Sequence, residues 1–265
     1  MNLFEKNIPF VGAVISGKGG VGKSMTTVNT AAMLNDMGYR VAIIDADLGL
    51  ANCATMFNEP VKSTVCEWIK GEISLESISQ HCGGITLVTG ADSPDEMTMA
   101  ADVIMDALDQ TIEFLKITHD YILIDTPAGA GEMTLWALDA AELGILVLVD
   151  EPSAISDLYR LCKYVYSIDP AFQFASIVNF ADDENSAKST ITRFNTILGN
   201  FLDKESPYLG FIPEHQQIRT AVQKQATILS LHGSDTIVGE LEFIAQNLVS
   251  HSNVLEQNTV KIAVH

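Results

Sequence analysis

The chain is 265 residues long, 47% hydrophobic and strongly acidic: 34 Asp and Glu against 15 Lys and Arg give a formal net charge of −19. Such a length and apolar content support one large core, and the charge disfavours nucleic acid or an anionic lipid surface as a direct partner. No run reaches the roughly 18 apolar residues of a membrane-spanning helix. The N-terminus, MNLFEKNIP, lacks the apolar stretch of a secretory signal, so a cytoplasmic location is expected. Cys53, Cys66, Cys82 and Cys162 and the six histidines show no metal-ligand spacing, which argues for reduced thiols and against a zinc site.

Phe10 to Ile15 reads as a buried strand and Met25 to Met37 as a helix. Between them, Gly17, Gly22, Lys23 and Ser24 satisfy the pattern G-x-x-x-x-G-K-[ST], which marks a phosphate-binding loop when a strand enters it and a helix leaves it. The chemistry needs successive backbone N–H groups turned inward with no Cβ in the way. A lysine supplies point charge to the outer phosphates, a hydroxyl can ligate Mg²⁺, and the helix N-terminus adds its dipole. Lys18 has no required place in that pattern: it is either a solvated loop lysine or a second cation aimed at phosphate.

Val41 to Ile44 is the next buried strand, and it ends in Asp45-Ala46-Asp47-Leu48-Gly49-Leu50-Ala51-Asn52. Carboxylates at the carboxyl end of a strand lie where open α/β sheets bind ligands. Asp47 could orient a water, Asp45 could support it or the Mg²⁺, or both could simply form a turn. Residues 56–81 read as short helices and turns, with Val65, Trp68, Ile69, Leu75 and Ile78 in core or interface. Ile85 to Val88 is a strand, and Ser93-Pro94-Asp95-Glu96 has the form of a capping box opening a helix with Ile104, Leu108, Ile112 and Leu115 on one face.

Tyr121 to Asp125 is an apolar strand ending in aspartate, the form of a Walker B element, in which Asp125 holds Mg²⁺ through a water. In the small-residue loop that follows, Gly129 could offer its N–H to a γ-phosphate. Leu143 to Val149 is a strand, and Asp150-Glu151-Pro152-Ser153 opens a helix through Tyr164. Phe174 to Val178 is a strand ending at Asn179, whose amide can form a turn or read adenine N6 and N7 by paired hydrogen bonds. A helix over Arg193 to Phe201 and a strand over Tyr208 to Ile212 precede Pro213-Glu214, a helix through Val222, and a last helix over about Asp235 to Val249. From His251 to His265 the pattern weakens. Val260, Ile262 and Val264 alternate as in a strand, and Lys261 is the sole basic residue, too few for a membrane-surface helix; disorder or an edge strand is expected. Strand and helix signals thus alternate, which predicts an α/β fold: a mostly parallel twisted sheet of about seven or eight strands with helices on both faces. A single domain over 1–250 and a weakly structured tail over 251–265 complete the reading.

These motifs agree on one family. Gly17-Lys18-Gly19-Gly20-Val21-Gly22-Lys23-Ser24 resembles the deviant Walker A of the MinD/ParA ATPases, Asp45 to Asn52 their switch I, and Asp125-Thr126-Pro127-Ala128-Gly129 their switch II. Glu151 to Asp157 and Ile212-Pro213-Glu214 follow in the expected order, so the resemblance covers about residues 10 to 230. Switch I and the Glu151 to Asp157 stretch are most similar to the FlhG (FleN, YlxH) branch, which regulates flagellar number and placement; Pro127 is closer to the MinD branch.

The resemblance implies a homodimer, formed with ATP, that slowly hydrolyses ATP to ADP and phosphate and is accelerated by a protein partner. Lys18 would reach across to the phosphates of the other subunit, Lys23 would grip its own, and Asp47 would activate the attacking water. Ser24, Asp47 and Asp125 would serve the Mg²⁺. The backbone from Gly17 through Gly19, Gly20, Val21 and Gly22 to Met25, with Gly129, would hold the phosphates, and Asn179 with the backbone around Pro213 and Glu214 would hold adenine.

The chain also departs from the pattern. The N-terminus lacks a clear version of the segment with which FlhG proteins activate a GTPase partner, and the C-terminus lacks a basic amphipathic helix. The first counts against the flagellar role; the second argues against direct membrane binding and leaves recruitment to a pole or membrane site to a protein partner. The alternatives are a DNA- or cargo-partitioning ATPase of ParA type, which the charge of −19 opposes, and a MinD-like division-site regulator. A metal-cluster reductase or scaffold would need cysteines that residues 125–132 do not contain, and Asp47 opposes a nucleotide-binding adaptor without turnover.

Overall fold

Strands β1 (Phe10–Ile15), β2 (Val41–Asp45), β4 (Ile85–Thr89), β5 (Tyr121–Asp125) and β6 (Leu143–Leu148) are buried at every residue. Continuous apolar strands of this kind are stable only where helices cover both faces of a parallel sheet. A computed structural model describes residues 8–48, 52–231 and 235–263 and shows that arrangement. With β3 (Ser79–Cys82), β7 (Phe174–Ala181) and β8 (Tyr208–Pro213), the strands form one eight-stranded sheet of order β3-β4-β2-β5-β1-β6-β7-β8. Every pair is parallel except β3 with β4.

The helices are α1 (Lys23–Asp36), α2 (Asn52–Met56), α3 (Val65–Ile69), α4 (Ala101–Lys116), α5 (Glu132–Ala140), α6 (Pro152–Ile168), α7 (Glu184–Leu202), α8 (Gln216–Gln223) and α9 (Asp235–Ala263). One apolar layer joins α4, α5, α6 and α7 to the sheet through residues such as Ile104, Leu108, Ala137, Leu158 and Phe194. The other layer joins α1, α8 and α9 through Val28, Ile218, Leu241 and Ile244. The sheet grows outward from β1 in both directions. The carboxyl end of β1 is therefore a topological switch point, the place where ligands bind in open α/β sheets.

Three expectations change. Strand β3 lies within the stretch read as helices and turns. Its sequence is polar, but it pairs antiparallel with β4 across the two-residue turn Gly83-Gly84, whose φ values of 58° and 86° are those of a tight hairpin. The Ser93/Glu96 capping box forms both of its hydrogen bonds, at 3.4 and 3.2 Å, yet it caps only a short turn over Glu96–Thr98, and α4 begins at Ala101. The Glu96 carboxylate also accepts from Thr64 Oγ1 at 2.8 Å, which ties the turn to α3.

Residues 251–263 of the tail are neither disordered nor an edge strand, because α9 continues through Ala263. No Gly or Pro follows Gly239, and a formed helix elongates at little cost. Tyr121 Oη meets Ser252 Oγ at 3.1 Å and pins this stretch to the sheet. Val264, His265 and the side chains from Asn258 onward, including Val260, Lys261 and Ile262, lie outside the described residues, as do residues 1–7 and Gly49 to Ala51. No described helix is long and apolar enough to cross a membrane.

Candidate functional site

The glycine-rich loop leaves β1 and enters α1 at Lys23. Two of its glycines are required by shape. A Cβ on Gly17 would sit 2.8 Å from the Ala154 carbonyl oxygen and 2.8 Å from Asp157 Cβ, because the loop packs against the first turns of α6. Gly22 has φ +82°, and a Cβ there would lie 2.2 Å from Asn179 Nδ2. Beneath the loop, Asp125 is fully buried at the end of β5. Its Oδ2 accepts from Ser24 Oγ at 2.6 Å, and its Oδ1 accepts from Thr27 Oγ1 at 2.7 Å. The Lys23 ammonium lies 2.8 Å from Oδ1 but has no aligned hydrogen-bond acceptor, so its N–H groups remain available to a phosphate.

Asp45 and Asp125 are register partners on adjacent strands, and both are buried. Burial, and then the charge of Asp125, push the Asp45 pKa up to about 7 against the pull of backbone N–H groups from Cys53 and Asp47 and of Lys23. Asp47 is half-buried. Burial raises its pKa, Lys23 opposes the rise and Asp125 adds to it. Its Oδ2 accepts from Asn52 Nδ2 at 3.3 Å.

The ligand atoms of Asp45, Asp125 and Cys53 lie within 4.8 Å of one another. A hard divalent cation wants oxygen donors. Two adjacent buried carboxylates, with the Ser24 hydroxyl already against one of them, fit Mg²⁺. Cys53 is held as a neutral thiol by burial, with its pKa well above the ordinary value, and adds no ligand for such an ion. Of the metal set expected as Ser24, Asp47 and Asp125, the structure joins Ser24 to Asp125; the β2/β5 register also sets Asp45 beside Asp125, and Asp47 lies past the strand end.

Other expected residues are disposed differently. Lys18 points to Glu151, with Nζ 2.6 Å from Oε2 and both side chains about half exposed. Gly129 donates its N–H to the Ser16 carbonyl at 2.9 Å, so in this conformation that N–H is not open to a phosphate. Asn179 is buried, and its Nδ2 donates to the Val21 carbonyl at 2.7 Å. Its Oδ1 has no partner, and the Val21 bond takes one of the two Nδ2 hydrogens, so the amide keeps an acceptor and a donor for the expected paired reading of N6 and N7. Pro213 ends β8 opposite Ala181, whose carbonyl takes the Glu214 N–H at 2.9 Å, and the Glu214 carboxylate pairs with Arg219. Met25 is buried in the first turn of α1; Gly19 and Gly20 are open to solvent.

Thr27 and Cys53 escaped the sequence reading. Thr27 had a signal, since it lies three residues after Ser24 and so on the same helix face. Cys53 had none.

A parallel sheet with this loop at its switch point, and a lysine, a hydroxyl and a strand-end aspartate gathered beneath it, defines a P-loop NTPase. The chain matches the ParA family model, described as a NUBPL iron-transfer P-loop NTPase, over residues 7–249, and it belongs to that family. It is 33% identical over 217 residues to the antiactivator FleN of Pseudomonas aeruginosa, covering 82% of this chain and 78% of that protein. It is 33% identical over 248 residues to the flagellum site-determining protein YlxH of Helicobacter pylori, covering 92% and 83%. Its fold matches the septum site-determining protein MinD complexed with Mg-ADP from Pyrococcus horikoshii, with a TM-score of 0.76 at 22% identity over 94% of this chain and 99% of that one.

Proposed function

We propose that the chain is an ATP-dependent dimerising switch that hydrolyses ATP to ADP and phosphate and regulates the number or placement of flagella through a protein partner. The observation that carries the reading is the joining of Lys23, Ser24, Thr27, Asp45 and Asp125 in one buried cluster under a glycine loop. Lys23 and the backbone N–H groups of the loop and of Met25 bind the phosphates. Asp125, Asp45 and Ser24 would hold Mg²⁺, which would neutralise charge developing on the phosphates. Asp47 orients the attacking water, and its raised pKa brings it nearer the working pH of a proton acceptor. Lys18 leaves Glu151 and enters the partner subunit's site, as an arginine finger does; the half-exposed pair it abandons is worth at most about 1 kcal/mol.

The names of the FleN and YlxH relatives support the flagellar role, and a net charge of −19 supports a protein partner over direct binding to DNA or lipid. The same partner supplies recruitment to a cell pole or membrane site. Lys18→Ala should retain ATP binding and lose ATP-dependent dimers in light scattering; dimers that persist unchanged defeat the proposal. Deletion of the gene should alter flagellar number or position, and unchanged flagellation refutes the cellular role. An iron-transfer role, which the family description names, has less support: all four cysteines are buried, and iron and sulfide analysis of the purified chain should find neither.

A further inference from the structure

Phe180 departs from its surroundings in two ways. Its φ is +57°, a left-handed conformation that is strained for a bulky side chain, and the residue is 43% exposed at the end of a strand otherwise buried. Among the described residues, the others with positive φ that are not glycine are Asn58, Asp203 and Gln225, all polar. The cause is a bulge. Asn179 pairs with Ile212 and Ala181 with Pro213, so Phe180 is an extra residue in β7. Strain of this kind persists where the surrounding structure enforces it, and it concentrates at ligand sites.

The bulge brings consecutive side chains to one point. The position a Cβ would take on Gly22 lies 2.2 Å from Asn179 Nδ2 and 3.3 Å from Phe180 Cζ, so the amide and the ring meet over the last glycine of the phosphate loop. Asn179 is 1% exposed, and its Oδ1 has no hydrogen-bond partner. The Val21 carbonyl fixes the orientation of that amide, since a flipped amide would set two oxygens 2.7 Å apart. A buried acceptor without a donor therefore stands beside a partly exposed aromatic side chain, both against the loop that would hold the phosphates.

We propose that the Phe180 ring is the platform on which the base of the nucleotide stacks, beside the Asn179 amide already expected to contact adenine. The chemistry recognises an adenine nucleotide: an amino group satisfies Oδ1, whereas the O6 of guanine would oppose it. The left-handed backbone serves to present the ring, which the regular strand alternation would turn away from Asn179. This inference rests on the nucleotide-site reading above and adds a base-contacting residue to it.

The test is calorimetric titration, with Mg²⁺ present, of the full chain and of Phe180→Ala and Phe180→Trp with ATP, GTP and inorganic tripolyphosphate, which has phosphates but no base. A base stacked on an aromatic ring is worth a factor of about 5 to 150 in affinity. Phe180→Ala should weaken ATP about tenfold and leave tripolyphosphate within about twofold. Phe180→Trp should keep ATP within about threefold, and its emission should change with ATP and not with tripolyphosphate. Wild-type chain should bind ATP more tightly than GTP. The proposal is overturned if Phe180→Ala leaves ATP binding intact or weakens ATP and tripolyphosphate alike. Should Phe180→Ala not fold, a Phe180→Trp emission indifferent to ATP overturns it. A wild-type chain that binds neither ligand defeats this inference and the nucleotide reading together, whereas ATP binding that ignores Phe180 defeats only the inference.

Discussion

Three glycines of one loop separate shape from chemistry. Gly17→Ala would drive a methyl group to 2.8 Å from the Ala154 carbonyl oxygen and 3.0 Å from the Leu158 nitrogen, both backbone atoms of α6 that cannot rotate away. Forced repacking of this kind costs about 1–3 kcal/mol. Gly22→Ala meets two penalties. Its φ of +82° costs an L-residue about 1 kcal/mol, and its Cβ would displace the Asn179 amide and break the 2.7 Å bond to Val21, leaving a buried donor at a further cost of about 1–3 kcal/mol. Gly19→Ala meets nothing within 4 Å, and its effect should stay within about 0.5 kcal/mol. At roughly 2 °C per kcal/mol for a chain of this size, melting without nucleotide should fall by about 4 °C for Gly17→Ala and about 6 °C for Gly22→Ala, and should hold for Gly19→Ala. Equal destabilisation by all three, or none from Gly17→Ala, would refute the packing of the loop on α6 and β7.

Two further perturbations probe the aspartates. Thr27→Val keeps the shape of the side chain but removes the 2.7 Å hydrogen bond to Asp125; it should cost about 1.5–3 kcal/mol in urea denaturation, with Thr27→Ser restoring most of the loss. Asp45 titrates in the direction opposite to a salt-bridged carboxylate: its pKa rises from an ordinary 3.8 to about 7, so the folded chain keeps a proton that the unfolded chain releases. In EDTA, stability from this group is therefore full below about pH 4 and falls by about 1.4 kcal/mol per pH unit up to about pH 7. Asp45→Asn should flatten that slope, and a wild-type-minus-variant difference independent of pH would contradict the burial of the charge.

Much of the site was legible because its determinants are local. The run from Gly17 to Ser24 carries glycines, lysine and hydroxyl at fixed offsets, and Tyr121 to Asp125 announces a buried strand and its terminal acid together. The positions of most strands along the chain followed from their apolar runs. What escaped depends on contacts far apart in sequence. Ser79 to Cys82 carries no apolar alternation and becomes a strand only because Gly83-Gly84 folds it onto β4. The choice of Asp45 over Asp47 as the neighbour of Asp125 is set by the β2/β5 register, and the Phe180 bulge by the mismatch of β7 with β8. The tail misled because Val260 and Ile262 alternate; the continuation of α9 instead reflects the absence of any helix breaker after Gly239.

On the proposed reading, two of the groups required at a phosphoryl-transfer site are engaged elsewhere in this structure. Lys18 rests on Glu151, and the Gly129 N–H rests on Ser16. The first contact is a half-exposed ion pair worth about 0–1 kcal/mol, and the second is one backbone hydrogen bond worth about 1 kcal/mol. Releasing both costs about 2 kcal/mol, so roughly one free molecule in thirty has both groups available. That cost is comparable to the about 1.5–3 kcal/mol of one charge-assisted contact to a γ-phosphate, which can offset it. The sensitivity of the switch to a single phosphate therefore follows from the weakness of the contacts that hold it off.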